Sequence, residues 1–160
     1  MFNFSWLLFC KYGTLLFSSL ILLFLLFHDW INLYPLNDLK TLDEHCSLKN
    51  KILMTIFNAP FYMVYVALLV WYWAEPFSYH AKQYFIICNT LFLFGIIISW
   101  WIPYFFGWPK SQCEELKKMY SSTHTFLPKI GDNPTPNTLH VIFHSVFVVN
   151  TILTFLMLCW

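Results

Sequence analysis

His140 and His144 stand four residues apart, so on an α-helix their imidazoles project from one side on successive turns, and Phe147 and Thr151 continue the stripe. Two ring nitrogens in that arrangement can converge on one metal ion, or present a proton acceptor and a proton donor to a ligand. A second pair, His28 and Asp29, sets a carboxylate beside an imidazole. That raises the ring's affinity for a proton and can orient it for acid–base work. His28, Asp29, His140 and His144 are therefore the candidate catalytic groups. Trp100, Trp101, Tyr104, His124 and Thr151 are candidate ligand contacts, and His140 with His144 is the candidate metal pair. Each has a simpler reading. The histidines can hydrogen-bond to loop carbonyls and to Asp29, Asp29 can cap a helix end, and the run from Trp100 to Trp108 can be an aromatic belt at a membrane interface.

The elements that must position these groups are set by composition. Of the 160 residues, 59% are hydrophobic, 22% aromatic and only 11% charged, against about 25% charged in soluble domains. The apolar residues fall in blocks long enough to cross a hydrocarbon layer about 30 Å thick, which takes roughly 20 helical residues. The expected fold is all-α: a polytopic membrane protein, one domain over 1–160, built as a four-transmembrane-helix bundle with two longer loops on one face. Expected spans are 10–30, 52–74, 83–106 and 138–160, with a loop and interfacial segment over 107–137.

The first block contains LLFSSLILLFLLF, which could pass for the core of a secretory signal, but no small-residue cleavage site follows. It is read as an uncleaved helix with Lys11 snorkelling to one interface and Trp30 at the other. Pro60 lies inside the second span, where proline removes a helical hydrogen bond and favours a kink. Thr41 with Glu44, and Ser111 with Glu114, have capping-box spacing and predict starts of short helices. Leu116, Met119 and Tyr120 form one face of the second of these, which reads as amphipathic and interfacial. Asn137 or Thr138 is the expected cap of the last span. In the third span Cys88, Gly95 and Ser99 make a stripe of small residues, expected to let a neighbouring helix pack closely.

Several chemistries are missing. Every basic residue is lysine and the net charge is +1, so there is no basic stripe for nucleic acid. The sequence contains no G-x-S-x-G, H-E-x-x-H, glycine-rich phosphate loop or C-x-x-C-H motif. No cofactor is required by these residues, although haem or a divalent metal on the histidines stays open. Of five cysteines, Cys46 and Cys113 fall in polar loops and are expected to be free thiols on a reducing, cytoplasmic face. The same orientation follows from the lysines at 40, 49, 51, 110, 117, 118 and 129 in the long loops, against Lys11 and Lys82 opposite.

The strings HDW, YPLNDL, WWIPYFFG, THTFLP and PNTLHVIFH together resemble a group of small bacterial four-helix integral membrane proteins. That resemblance implies an inner-membrane location and kinship over most of the chain, and brings no activity, cofactor or catalytic assignment. By architecture alone, the expected bundle is also similar to sterol-isomerase and sterol-binding membrane proteins.

Four spans put His28, Asp29, Trp100, Trp101, Tyr104, His124, His140 and His144 at one membrane face. Ionisable groups bordering a bilayer usually face the bundle interior or a polar cavity. The expected function is a polar His/Asp pocket binding a small hydrophobic or amphiphilic ligand, lipid- or isoprenoid-like, with the proline-broken segment from Ser121 to Pro136 as its lid and acid–base chemistry within reach. The alternatives are an accessory subunit of a larger membrane complex and a haem- or metal-binding redox protein. The expected partners are membrane lipids.

Overall fold

The computed structural model describes residues 4–159. Its helices are α1 (Phe4–Phe27), α2 (Leu39–His45), α3 (Leu48–Trp71), α4 (Tyr79–Ile96), α5 (Ile102–Phe106), α6 (Lys110–Met119) and α7 (Thr138–Leu158), with a π-helical turn over Ile97–Trp101 joining α4 to α5. Four helical stretches are long and apolar enough to span a membrane: Ser5–Phe27, Leu48–Trp71, Tyr79–Phe106 and Thr138–Leu158. The four-helix membrane bundle is thus what the chain forms. The first three spans begin four to five residues earlier than apolar run length suggests, and α1 ends at Phe27, so His28, Asp29 and Trp30 form a turn beyond it.

α7 is the most enclosed span, with 39% of its apolar window buried against 22% in each of the others. It packs mainly on α1, where Cys10, Thr14 and Ser18 are fully buried. A Cβ added to Gly13 would sit 2.8 Å from Leu153 Cδ1. Small residues on α1 thus allow the close approach on which helix association in lipid depends. The stripe at Cys88, Gly95 and Ser99 plays that part only at Cys88, which is buried in the core; Gly95 and Ser99 are exposed, and a Cβ on Gly95 would meet nothing within 4 Å. Gly95 and Ser99 face an opening, because periodicity marks a face of a helix but not what lies opposite it.

Deep in the bilayer, Asn89 Nδ2 donates to Tyr65 Oη at 3.0 Å, and Tyr65 in turn pairs with Thr154. This polar cluster ties α3, α4 and α7 together. α3 runs unbroken through Pro60. Lys11 Nζ donates to the carbonyls of Trp73, at 2.8 Å, and Tyr72, at 3.3 Å, so the charge satisfies open carbonyls at the end of α3.

The short helices start differently from the capping-box expectation. Asp38, not Thr41, caps α2 by accepting the Lys40 N–H at 3.1 Å. α6 begins after Pro109 with no side-chain cap, one residue before Ser111. Pro109 at the cap position fixes the entry dihedral but supplies no acceptor to the first-turn N–H groups. Asn137 caps α7, as one of the two expected alternatives. α5 ends at Gly107, whose φ of 63° is a left-handed conformation that glycine adopts without a Cβ penalty.

Candidate functional site

α1 delivers Phe24, His28 and Asp29 to the loop end of the bundle, and α7 begins beside them with His140 and His144. His28 and His140 have ring centroids 5.8 Å apart, and His140 and His144 6.2 Å apart. Trp100 lies 4.1 Å from the His140 ring and Tyr120 lies 5.0 Å from it. Trp100 sits within the π turn. A π turn adds one residue to the helical repeat and so redirects the side chains after it, and such turns gather at functional positions.

These groups line a cavity of about 680 Å³, within the range of small-molecule sites. Its floor is Phe24, Phe143 and the histidines. Its walls are Met54, Phe57 and Phe61 of α3 and Leu91, Phe92 and Gly95 of α4. The roof is not the segment from Ser121 to Pro136, none of whose residues reaches the cavity. It is α6 with the end of α2, through Gln112, Glu115, Leu116, Tyr120, Leu42 and Cys46. The proline-rich segment is strapped elsewhere. His124 donates its backbone N–H to Pro35 O at 2.7 Å, Tyr104 Oη donates to Pro128 O at 2.9 Å, and Asn133 Nδ2 donates to Tyr104 O at 2.9 Å. Pro128, Pro134 and Pro136 hold that segment against the end of the bundle as a strap, which leaves the amphipathic α6 free to lie over the opening.

The candidate residues therefore separate into two groups. His28, Asp29, Trp100, His140 and His144 line one cavity. Trp101 lines a shallow apolar groove on the other side of His144. Tyr104 is buried under the strap, and His124 Nδ1 pairs with Thr138 Oγ1 at 2.8 Å in the loop. Thr151 lies in the bilayer-deep cluster, 3.1 Å from Asn89 Oδ1. Sequence reading set Tyr120 on the face of a surface helix and took Asn137 for a helix cap alone. Asn137 Oδ1 accepts both the His140 N–H at 3.0 Å and the His140 ring Nδ1–H at 2.7 Å, while its amide donates to Leu36 O at 3.2 Å. One buried amide thus starts α7, fixes the His140 tautomer and anchors a loop. An asparagine before H-x-x-x-H, three residues from the first histidine, is the sequence signal for it.

The nitrogen bookkeeping decides what the site can hold. His28 Nδ1 lies 2.9 Å from Phe24 O, and Nε2 lies 3.1 Å from Asp29 Oδ1. Both nitrogens of His28 are engaged, and it has none to spare for a metal. Burial lowers the His28 pKa against the opposing pull of Asp29, and burial raises that of Asp29 against His28 and Lys51. Both directions favour a neutral pair sharing one proton. Burial likewise pushes the Tyr120 hydroxyl up, with Asp29 adding to it, so it stays a donor. Among the described residues no group of three or more His, Cys, Asp or Glu could hold a metal ion. His140 keeps Nε2 as its acceptor, and His144 Nδ1 is buried without a hydrogen-bond partner among the described residues.

No family model, curated protein or solved structure matches this chain, so what the site does must be argued from its own residues.

Proposed function

We propose that this integral membrane protein binds one amphiphilic molecule, with its polar end among His28, Asp29, Tyr120, His140 and His144 and its apolar part between α3 and α4. The observation that carries the reading is His144 Nδ1. It is buried, has no hydrogen-bond partner among the described residues, and belongs to a side chain that lines a cavity polar at one end and apolar along its walls. A buried polar group without a partner costs about 1–3 kcal/mol, and a ligand that completes it recovers that energy. The His28–Asp29 pair, with its one shared proton beside His140, gives the same site a proton to exchange with a bound hydroxyl.

Adding back the lipid extract of the source membrane to delipidated protein should raise the melting temperature, because a ligand that binds only the folded state stabilises it. His144→Ala should insert and purify normally yet lose that rise. An equal rise in both proteins, or none in the wild type, would refute the reading.

We further place the protein in the inner membrane of a bacterial cell with its long loops in the cytoplasm, supported by the lysine excess on that side. Cys46 is half-buried and Cys159 exposed, and both are free thiols. With the other cysteines replaced, an impermeant maleimide should reach Cys159 in intact cells and Cys46 only after lysis. The reverse pattern overturns the orientation.

A further inference from the structure

The polar lining of the cavity has an uneven charge inventory. Among the described residues its ionisable side chains are Asp29, Glu115, Tyr120, Cys46, Cys88, His28, His140 and His144, with no lysine. Lys51, behind Asp29, is spent on Asp43 and on the backbone carbonyl of Asp29, at 3.2 Å. The first turn of α6 borders the opening and offers amide dipoles, but Glu115 stands on the same face one turn later. A phosphate or carboxylate head would enter low dielectric beside the Asp29 carboxyl, with Lys51 already paired to Asp43 and Glu115 at the exposed rim, a costly burial. A hydroxyl meets the opposite situation. It can donate to His140 Nε2, which Asn137 leaves unprotonated by holding Nδ1–H, and it can accept from Tyr120 or His144.

The apolar end of the cavity opens sideways. Met54 and Phe57 on α3 and Leu91 on α4 line the cavity and are each more than half exposed, at 59%, 67% and 59%. All three lie within membrane spans. Deeper in the bilayer the gap shuts, where Tyr84 Oη donates to Phe61 O at 2.8 Å. Gly95 stands at the opening with free space where its Cβ would be. The entrance therefore faces acyl chains rather than water.

Resting on the amphiphile-binding reading above, we infer that the ligand is an uncharged, hydroxyl-headed lipid, of the long-chain alcohol or acylglycerol class, which enters from the bilayer between α3 and α4 past Gly95. Phosphorylated and carboxylated relatives with the same chain are rejected at the head.

Three probes with one tail test this: oleyl alcohol, oleyl phosphate and oleylamine, competing against tritiated oleyl alcohol in a scintillation proximity assay on the purified full chain in mild detergent. Oleyl alcohol should displace the label at a concentration at least about tenfold below oleyl phosphate, a difference of about 1.4 kcal/mol. Gly95→Phe should abolish saturable binding while melting as the wild type does. Equal or stronger displacement by the phosphate or the amine overturns the assignment of an uncharged head while leaving an amphiphile site standing. Undiminished binding in a folded Gly95→Phe protein overturns the lateral entrance. No saturable binding of any of the three in the wild type sinks both the assignment and the amphiphile reading beneath it.

Discussion

Among the described residues lining the cavity, His28 and Asp29 are an adjacent base and acid, and their contact and burial favour a shared proton. With Nδ1 aimed at Phe24 O and Nε2 at Asp29, a second proton would leave a net positive charge buried near His140. Burial holds the His28 pKa below its ordinary 6.5. In the unfolded chain His28 takes up a proton as pH falls through that value, and in the folded chain it does so only lower. The unfolded state then binds more protons, and stability falls on acidification. The melting temperature should therefore drop between about pH 7.5 and about pH 5.5, and His28→Phe should show a shallower drop. An unchanged slope in the variant would mean that groups other than His28 carry the dependence. Of the site, the pairing of His28 with Asp29 and the inward turn of His140 and His144 were legible from adjacency and i,i+4 spacing. Asn137 was legible only as a cap, because its second bond to the His140 ring is a rotamer and not a pattern.

At the scale of elements, run length and aromatic ends were enough to find four spans, since lipid demands that every backbone bond be satisfied within a helix. Which face met which neighbour was not legible, as the small-residue stripes show. Gly13 of α1 meets Leu153 of α7, with Cys10, Thr14 and Ser18 buried on the same helix, whereas Cys88, Gly95 and Ser99 border the cavity. The π turn at Ile97–Trp101 is likewise invisible to a period of 3.6 residues, yet it carries Trp100, which stacks near His140. The contrast between the two glycines is testable. Gly13→Val forces branched carbons onto Leu153 in a packed seam and should destabilise by about 1–3 kcal/mol, read as a lower melting temperature. Gly95→Val should leave the melting temperature nearly unchanged, because nothing lies within 4 Å of the added Cβ. Equal losses at both positions would place Gly95 in a packed interface and close the cavity.

For the whole molecule, the polar cluster of Tyr65, Asn89 and Thr154 and the small-residue seam of α1 hold one end of the bundle shut. At the other end α3 and α4 part beneath α6. The bundle is thereby a clasp for something between its helices, roofed by the amphipathic α6 and not by the proline-rich strap. Native mass spectrometry of the chain taken from its own membrane in mild detergent bears on this most directly. One molecule of a single lipid class should stay with each chain, at far above its share of the bulk lipid, and Gly95→Phe should release it. A bare chain, or a chain that always leaves the membrane with a second polypeptide and no enriched lipid, would contradict the account.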